Sequence, residues 1–432
     1  MTSRRGNSMA FVFTDDQQAA MDSFIDFLAS DEQIMIIQGS SGCGKSTLIR
    51  HMAEAVKARE EMYRMLLKKD VMAEEFRMAL TATTNPAAAV LHDLTALPSS
   101  TIHRMLGLIV RPNFQTGGSF LSVRRDQEPI RNALIIIDES SMMDDVLYGM
   151  MQKQIIDSKV VLIGDWYQLA PVGQKYCTTK NITCRTALMN QIMRNSGIIQ
   201  QTGQQFRETV ETGVFKPIPT GHPEIIHADG RTFQHLVDMA YLDPMYGLKT
   251  AKILAWTNAR VLEYSSYIRQ LLGKPEELQV GETVFTNKMI DMGKSGSIPV
   301  DSAVTITYKS ELIENRAHEN ILGWHIGVNN MWTAFMPQDP QRAKTYMKKL
   351  ASKKDWPTHY EVKDGWLDLR LPYASTVHKA QGQTLDTVFI DLDDIGRCRD
   401  ADTVARMLYV AITRARKQVV LYGQLPKKYR GK

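Results

Sequence analysis

The chain reads Gly39-Ser-Ser-Gly-Cys-Gly-Lys-Ser46 between an apolar run, residues 34–37, and a run of helical character, residues 47–52. This stretch is a complete G-x-x-x-x-G-K-[ST] phosphate-binding loop. Its glycines let successive backbone N–H groups close around phosphates, and the following helix N-terminus adds partial positive charge. Lys45 is expected to reach the β- and γ-phosphates, and the Ser46 hydroxyl to bind Mg²⁺. The sequence therefore predicts a strand–loop–helix unit that binds a nucleoside triphosphate.

A second motif, Leu134-Ile-Ile-Ile-Asp-Glu-Ser-Ser-Met142, is an apolar run that ends in two adjacent carboxylates. Asp138 at the end of the run is expected to hold Mg²⁺, directly or through water. Glu139 beside it is expected to polarise the attacking water as general base. An isolated acid pair is common, but this one follows a complete phosphate-binding loop, which favours nucleotide hydrolysis.

Two further stretches add candidate groups. Gly164-Asp-Trp-Tyr-Gln-Leu-Ala-Pro-Val172 follows an apolar run, and its Gln168 is expected to sense the γ-phosphate or to orient water. Near the C-terminus, residues 403–413 have helical spacing and end at Arg414. A hydrolase that spreads charge over a γ-phosphate needs an arginine, and one from a separate domain can couple domain closure to chemistry.

Short apolar runs recur along the chain with helical segments between them. Continuous rather than alternating apolarity predicts strands that are covered on both faces, as in a parallel sheet. The alternation of strand and helix predicts an α/β fold. The predicted strands are residues 34–37, 78–82, 134–137, 160–163, 253–256, 387–392 and 419–422.

Two regions interrupt this alternation. Residues 111–123 place Thr-Gly-Gly-Ser between extended segments, which predicts a hairpin inserted in the first α/β unit. Residues 275–372 contain short β-like pieces without the strand–helix alternation, together with basic and aromatic segments. They predict a small β-rich insertion.

Composition sets broader limits. A chain of 432 residues is too long for one core, and two to four domains are expected. The net charge of +5 is compatible with a nucleic-acid partner but is weak support alone. No apolar run approaches the ~18 residues of a membrane span, and the N-terminus has no secretory pattern, so a cytosolic protein is expected. The four cysteines lack C-x-x-C spacing, which argues against a zinc site or a disulfide framework.

The order of these motifs resembles that of the superfamily 1 DNA helicases. It is most similar to the 5′-to-3′ branch that contains RecD and the phage Dda helicases, and the resemblance to Dda-type enzymes covers nearly the whole chain. Two stretches strengthen it: motif V (residues 374–384) contains S-T-V-H-K-A-Q-G-Q-T, and motif VI (residues 403–416) contains Y-V-A-I-T-R-A-R. Thr14-Asp-Asp-Gln17 is similar to the family's adenine-reading Q motif, and Ser100-Thr-Ile-His103 to its motif Ib.

The resemblance implies an α/β fold with two RecA-like P-loop motor domains that sandwich ATP. The first motor domain would span residues 1–204 and carry a pin hairpin at residues 108–131. The second would combine residues 205–274 and 373–432. Residues 275–372, between these two parts, would form a small β-barrel that packs against the pin.

The family's nucleotide site carries over residue by residue. Gln17 would read adenine, Gln168 in motif III (residues 164–172) would link nucleotide state to DNA, and Arg194 would be a first arginine finger beside Arg414. The expected nucleotide contacts are Gln17, Gly39, Ser40, Ser41, Gly42, Cys43, Gly44, Lys45, Ser46, Thr47, Gln381 and Gly382. The expected catalytic residues are Lys45, Glu139, Gln168, Arg194 and Arg414, and Ser46 and Asp138 are the expected Mg²⁺ ligands.

The DNA contacts carry over in the same way. Hydroxyls and amides hold phosphates without reading sequence, and aromatic faces stack on bases. The expected DNA contacts are Thr84, Thr101, His103, Phe120, Thr257, Asn258, Thr376 and His378. Each of these residues also suits a helix cap or a core position. Phe120, or alternatively Phe114, would stack on the first base pair of the duplex, unless these rings pack on their neighbours.

The resemblance implies a monomeric DNA helicase that depends on ATP and Mg²⁺, moves 5′-to-3′ on single-stranded DNA and separates forked DNA at the pin. Single-strand-binding or replication proteins are candidate partners, and the cytoplasm of a phage host or bacterium is the expected location. Two alternatives stay open: a translocase that strips proteins from single strands, and a nucleotide-gated recruitment scaffold. An RNA helicase or a small-molecule kinase fits less well, since a kinase does not need motifs V and VI.

Overall fold

The computed structural model describes residues 12–67, 77–171, 173–174, 177–192, 197–247, 250–293 and 296–431. The first domain follows the phosphate-binding loop on both sides. Its elements are α1 (Asp15–Ala29), β1 (Ile34–Gly39), α2 (Lys45–Leu67), β2 (Arg77–Ala82), α3 (Asn85–Thr95), β3 (Ser99–Thr101), α4 (Ile102–Met105), β4 (Leu108–Pro112), β5 (Ser119–Val123), β6 (Ile130–Arg131), β7 (Ala133–Asp138), α5 (Asp145–Gln154), β8 (Ile155–Ile156), β9 (Lys159–Gly164) and β10 (Arg185–Met189).

Six of these strands form one parallel sheet in the order β10-β1-β9-β7-β2-β3. The central strand β7 is buried at every residue, and apolar clusters cover the sheet on both faces. This explains why its residues are continuously apolar. The predicted strands of this half are confirmed. The edge strands β3 and β10 were not predicted, because β3 is short and β10 exposes alternate residues.

The chain then enters a second α/β region, whose strands on either side of the insertion share one sheet. Its first elements are α6 (Ile198–Thr212), β11 (Ile225–Ala228), α7 (Gly230–Leu242), β12 (Ala251–Ala255) and α8 (Asn258–Leu271). The insertion follows with β13 (Thr283–Thr286), β14 (Ile290–Asp291), β15 (Ser297–Ile298), β16 (Ala303–Lys309), β17 (Ile313–Asn315), β18 (Ile321–Val328), β19 (Trp332–Pro337), α9 (Pro340–Ser352), α10 (Trp356–Gly365) and β20 (Leu369–Arg370). The chain closes with β21 (Ala374–Thr376), β22 (Leu385–Asp391), α11 (Leu392–Ile395), α12 (Ala401–Thr413) and β23 (Ala415–Tyr422).

The second sheet is also parallel, in the order β11-β23-β22-β12-β21. Two such sheets confirm the predicted α/β class. Helix α6 packs along α12, and its Ile199 and Phe206 join the core of the second domain. The predicted boundary between residues 204 and 205 therefore falls inside a single helix that packs with the second domain.

The insertion contains an antiparallel sheet in which β20, β13, β16 and β18 lie side by side in that order. Strands β17 and β19 both pair with β18. Among the described residues no pairing joins β17 or β19 to β20, so a closed barrel stays a prediction. Helices α9 and α10 were not predicted, and they cover one face of this sheet with Tyr346, Leu350 and Val362.

The predicted hairpin is present as β4 and β5, an antiparallel pair in which Leu108 lies opposite Val123 and Pro112 opposite Ser119. Its turn, residues 113–118, lies against α10 of the insertion. The Tyr360 hydroxyl donates to the backbone carbonyl oxygens of Gly117 (3.0 Å) and Gly118. Across the whole described part of the chain, no helix combines the length and the apolarity that crossing a bilayer would require.

Candidate functional site

The phosphate-binding loop runs from the carboxyl end of β1 to the first turn of α2. Gly42 and Gly44 both have φ of +85°, a left-handed conformation that favours glycine. A Cβ on Gly39 would lie 2.6 Å from the Cys43 sulfur, so this position also requires glycine. Inside the loop, Lys45 Nζ donates to the backbone carbonyls of Gly39 (2.8 Å) and Ser40 (3.0 Å). The loop is therefore closed around its own lysine.

Lys45 faces a group of acidic side chains. Burial alone would lower its pKa, but Cys43, Asp165, Glu139 and Asp138 together raise the pKa above its usual value. The lysine therefore stays charged at neutral pH. A buried ammonium beside the loop is suited to neutralise phosphate oxygens.

Asp138 and Glu139 lie where β7 ends. Burial, followed by repulsion from Glu139, raises the pKa of Asp138 to about 7, although Lys45 opposes this shift. Glu139 has φ of +52°, a left-handed conformation that is uncommon for a residue other than glycine. Its buried Oε2 has no hydrogen-bond partner. Backbone strain and an unsatisfied carboxylate oxygen are both typical of a functional site.

These two carboxylates also fit the expected Mg²⁺. Two adjacent carboxylates, one buried and one partly buried, repel each other, and a bound cation relieves that repulsion. Ser46, Asp138 and Glu139 line one cleft, so a hydroxyl and carboxylate oxygens, the ligand types that Mg²⁺ prefers, face the same space. When bound, the ion would supply positive charge against phosphate oxygens.

Motif III follows β9 and crosses to the second domain. Gln168 is 2% exposed, and its Oε1 accepts from Gln381 Nε2 of motif V at 3.4 Å. The Gln381 amide also donates to the Leu169 carbonyl at 3.5 Å. Gly382 next to it lies against Glu139, since a Cβ built there would be 3.8 Å from the carboxylate. Motifs III and V therefore meet beside the acidic pair.

Helix α12 of the second domain ends on the phosphate-binding loop. Arg414, which is 2% exposed, donates from Nη2 to Ser41 Oγ at 2.8 Å. One and a half turns earlier, the Tyr409 hydroxyl accepts from the Ser41 backbone N–H at 3.0 Å. Arg406 donates from Nη1 to the carbonyls of Trp166 (2.6 Å) and Gln168 (2.7 Å). The second domain thus places an arginine on the first domain's phosphate-binding loop.

Two other side chains support the loop. Gln17, fully buried near the start of α1, donates to the Cys43 carbonyl at 3.2 Å while its Oε1 accepts from the Thr14 N–H. Arg207 of α6 donates to Ser40 Oγ at 2.5 Å and lies 4.5 Å from the centre of the Tyr167 ring. Gln17 also lines the cleft, which agrees with a role in binding the nucleotide base.

Many of these groups open into one cleft of about 1300 Å³. Its walls come from the phosphate-binding loop and α3 of the first domain, from motifs V and VI, and from the insertion. The lining includes Gln17, Ser41, Gly42, Gly44, Lys45, Ser46, Thr47, Asp138, Glu139, Gln168, Gly382 and Arg414. The structure therefore brings together most of the predicted nucleotide residues, from segments more than 350 residues apart in the sequence.

Comparison with known proteins agrees with this geometry. Residues 23–174 match a family described as AAA domain, and residues 371–422 match the UvrD-like helicase C-terminal domain. The ATP-dependent DNA helicase dda of Enterobacteria phage T4 is 21% identical over 94% of this chain and 98% of its own length. Over nearly its whole length, the chain is similar to superfamily 1 helicases of the Dda-like type.

Two other relatives agree with the assignment. The ATP-dependent RecD2 DNA helicase of Deinococcus radiodurans is 30% identical, over 35% of this helicase and 18% of its own length. A Pif1 helicase from a study of unwinding at forked double-stranded DNA aligns with a TM-score of 0.52 and 14% identity. That alignment covers 98% of this helicase and 94% of the Pif1 chain. At this identity the likeness concerns the fold alone, and it supports two RecA-like domains.

The predicted DNA contacts of the helicase cluster at carboxyl ends of strands. Thr84, Thr101 and Thr257 follow or end β2, β3 and β12, and each is the N-cap of the next helix. Thr376 ends β21 and is buried. The capping alternative is thus realised for three of these threonines. Their hydroxyls lie beside helix N-termini, which attract phosphate.

The two histidines of the set are partly buried, and burial lowers the pKa of both His103 and His378. Neutral imidazole rings can stack on bases. Of the eight predicted DNA contacts, only Asn258 and Thr376 line the large cleft. The four threonines of the set thus lie at or just after the carboxyl ends of parallel strands, and the contact of all eight residues with DNA stays a prediction.

The two pin candidates differ in their surroundings. Phe114 lies in the hairpin turn, and its ring meets Tyr360 edge-on at 5.7 Å between ring centroids. Phe120 lies within β5, not in the turn, and is 50% exposed. Phe114 therefore fits the packing alternative, although its ring is 54% exposed and both rings keep about half of their surface open.

Arg194, the predicted first arginine finger, lies outside the described residues. Sequence reasoning missed four residues at the domain junction: Asp165, Arg207, Arg406 and Tyr409. Asp165 and Tyr409 stand inside quoted motifs, so their positions were available. Only the fold shows that they face each other.

Proposed function

We propose that this helicase hydrolyses ATP to move 5′-to-3′ along single-stranded DNA and separates duplex DNA at the β4–β5 hairpin. One observation carries the proposal: Arg414 of the second domain reaches Ser41 of the phosphate-binding loop, in a cleft that also holds Lys45 and Glu139. An arginine supplied across a domain junction couples closure of the junction to phosphoryl transfer.

Each polar group of the cleft has a distinct task in this mechanism. Lys45 neutralises phosphate oxygens, and Ser46 and Asp138 would hold a Mg²⁺ ion, which would supply positive charge against those oxygens. The unpartnered Oε2 of Glu139 accepts a proton from the attacking water. The Arg414 guanidinium, which cannot lose its charge in a protein, stabilises the charge that develops on the transferred group. Gln168 and Gln381 connect this chemistry to the DNA side, and Arg194 is a second arginine candidate.

DNA would lie along the carboxyl ends of the parallel strands. Thr84 and Thr101 in the first domain and Thr257 and Thr376 in the second offer hydroxyls that hold phosphates without reading sequence. Because these pairs lie on different domains, opening and closing of the cleft would change the distance between them. Such a change moves the protein along a strand.

The first test is ATP hydrolysis with and without single-stranded DNA. We expect strong stimulation by DNA, and we expect Lys45→Ala and Glu139→Gln to lower kcat by about a hundredfold or more, the usual range for a lost phosphate contact or general base. Asp93→Asn, which alters an exposed carboxylate on the cleft wall, serves as the matched control. Wild-type turnover in Glu139→Gln would contradict the proposal.

Polarity needs a second assay. Duplexes that carry either a 5′ or a 3′ single-stranded tail are offered with ATP and Mg²⁺. Unwinding from the 5′ tail alone is the expected result. Unwinding from the 3′ tail alone would reverse the proposed direction while leaving the helicase activity intact. RNA in place of DNA in the ATPase assay tests the RNA alternative.

The translocase alternative is tested at the hairpin. Phe120→Ala removes the exposed ring from β5. We expect it to reduce strand separation severalfold while single-strand-stimulated ATPase is retained. Unchanged unwinding would show that Phe120 takes no part in strand separation. DNA-stimulated ATP hydrolysis by the wild type without unwinding from either tail would favour a translocase that strips proteins. Slow turnover with tight, ATP-dependent binding of another protein would favour the scaffold alternative.

The remaining expectations are a monomer, a cytoplasmic location in a bacterium or a phage host, and single-strand-binding or replication proteins as partners. The relative from phage T4 supports the phage setting. Sedimentation of the protein with and without a forked DNA tests the monomer directly.

A further inference from the structure

Tyr409 stands at the centre of the junction between the two domains. It belongs to α12, and its side chain is 1% exposed. Its hydroxyl donates to Asp165 Oδ2 at 2.6 Å and accepts from the Ser41 backbone N–H at 3.0 Å. Asp165 and Ser41 both belong to the first domain. A single phenol of the second domain therefore joins the phosphate-binding loop to motif III.

The chemistry of the three groups makes this arrangement specific. A phenol offers one donor, which a carboxylate accepts, and an acceptor, which a backbone N–H can use. Burial raises the pKa of Tyr409 well above its ordinary value, so the hydroxyl keeps its proton. Asp165 is fully buried, and a buried carboxylate needs such donors. Its remaining donors are the Tyr167 N–H at 3.1 Å and the Gln168 amide at 3.5 Å.

The hydrogen bonds continue from Asp165 towards the DNA side. The Gln168 amide joins Asp165 to Gln381 of motif V at 3.4 Å. Gln381 lies three residues after His378, a predicted DNA contact. The opposite end of the network is Ser41, which Arg414 also contacts through Oγ. A contiguous set of hydrogen bonds thus links the phosphate-binding loop to motif V. It crosses between the domains at Tyr409 and again at Gln168–Gln381, and both crossings depend on closure of the junction.

We propose that Tyr409 is a positioning residue whose hydroxyl transmits closure of the two domains at the phosphate-binding loop to motif III and so to bound DNA. This inference rests on the proposed function, because it concerns how DNA stimulates ATP hydrolysis. When the domains separate, Tyr409 and Asp165 exchange their mutual hydrogen bond for water. The contact therefore exists only in the closed arrangement, in which Arg414 reaches the loop.

The decisive variant is Tyr409→Phe, which removes one oxygen and keeps the ring. We expect kcat with saturating single-stranded DNA to fall about tenfold, the effect of a lost hydrogen bond to a charged group. The KM for ATP should stay within about twofold, because the lost hydrogen bond would stabilise the transition state and not the binding of ATP. Hydrolysis without DNA should change much less than hydrolysis with DNA. A purely structural role would lower both alike.

Tyr241→Phe is the matched control. Tyr241 is another buried tyrosine, 2% exposed, whose hydroxyl donates to the Tyr373 carbonyl at 2.5 Å within the second domain. Its removal should leave the ratio of stimulated to unstimulated hydrolysis unchanged. Asp165→Asn tests the other end of the contact, because it keeps the acceptor oxygen but removes the charge. Combining it with Tyr409→Phe should add little to the loss, since both changes act on the same hydrogen bond.

The outcomes separate this inference from the proposed function. A wild-type protein that DNA does not stimulate would overturn the proposed function and this coupling with it. A stimulated wild type with an equally stimulated Tyr409→Phe would overturn the coupling alone, as would equal losses with and without DNA. Additive losses in the double variant would show that Tyr409 and Asp165 act separately, which also contradicts the inference.

Discussion

The cleft junction and the hairpin junction join distant parts of the same chain by different means. In the cleft, motif VI meets the phosphate-binding loop through Arg414 and Tyr409, which are 2% and 1% exposed. At the hairpin, the turn of residues 113–118 meets α10 through rings and backbone carbonyls, and Phe114 is 54% exposed. One contact is buried and charged, whereas the other is aromatic and near the surface.

The contrast concerns what each contact must do. Charged groups in a buried junction act on developing charge, and their effect depends on chemical identity and on placement within fractions of an ångström. Rings that hold a hairpin act through shape, because they fix the direction of the turn without reacting. We therefore expect ATP hydrolysis to be lost when a functional group of the cleft is changed. Strand separation should be lost when an added side-chain atom pushes the hairpin turn away from α10.

The largest effect should follow from Arg414→Ala. An arginine supplied to a transferring phosphoryl group contributes about 10³-fold or more to kcat, so DNA-stimulated ATP hydrolysis should fall by that order. Arg414→Lys should recover little, because a lysine lacks the planar fork that bonds Ser41, Thr413 and the backbone together. Steady-state ATPase assays measure both.

A surface arginine provides the control for this change. Arg397 has a side chain that is 70% exposed and lies 3.6 Å from Asp394. Arg397→Ala should leave turnover near the wild-type value, since such pairs contribute little. A loss below tenfold in Arg414→Ala would break the contrast, because the cleft would then depend on shape as the hairpin does.

The same contrast explains what the sequence could predict. Lys45, Asp138 and Glu139 were predictable because each follows an apolar strand within a local pattern. The strands β1, β7 and β9 were predictable because burial on both faces makes them continuously apolar. The local sequence is therefore sufficient to predict a strand or a site residue when one short segment carries the whole pattern.

Contacts between distant segments had no such signal. Asp165 and Tyr409 are 244 residues apart, and Gly118 and Tyr360 are 242 residues apart. The local sequence around each residue does not indicate which distant residue it contacts, so these contacts become visible only in the folded structure. Helix α9 is different, because its buried Ala343, Tyr346 and Leu350 have helical spacing behind Asp339-Pro340. A capping residue followed by proline is a helix start signal, so α9 could have been predicted from the sequence. From its composition alone, this lysine-rich stretch is interpreted only as a basic segment of the insertion.

A smaller effect, on unwinding alone, should follow from Gly117→Ala. Gly117 has φ of +71°, and a Cβ there would lie 2.0 Å from a ring carbon of Trp356. The turn must therefore move away from α10. We expect unwinding of forked DNA to fall about tenfold, as when a working group is displaced by about an ångström or more, while single-strand-stimulated ATPase stays within about twofold.

The neighbouring glycine offers a matched control. A Cβ on Gly118 would meet only Thr116 Oγ1 at 3.5 Å, an ordinary contact, and its φ is not positive. Gly118→Ala should therefore unwind DNA as the wild type does. If both variants behave alike, the position of the turn against Trp356 does not matter for strand separation, and the hairpin side of the contrast fails.

The smallest effect concerns stability, and it arises from a charge that the cleft buries and the hairpin contact lacks. Lys252 in β12 is 6% exposed, and its Nζ donates to Gln383 Oε1 at 2.9 Å. Burial lowers its pKa to about 8, although Asp301 opposes the shift. Because the pKa is lower in the folded than in the unfolded chain, where it is about 10.4, the charged lysine destabilises the fold at every pH below about 8.

Replacing this charge should therefore stabilise the protein. Lys252→Met should raise the midpoint of thermal unfolding by about 2–4 °C at pH 7, and the gain should shrink as pH rises from about 8 towards 10.4, where the unfolded lysine also loses its proton. Lys417→Met, at a side chain that is 69% exposed, should change the midpoint little at either pH. A lower midpoint in Lys252→Met at pH 7 would mean that the bond to Gln383 outweighs the cost of burial. The polar groups of the cleft would then stabilise the fold in addition to their role in hydrolysis. The contrast between charged groups that serve catalysis and aromatic rings that fix the shape of the hairpin would no longer hold.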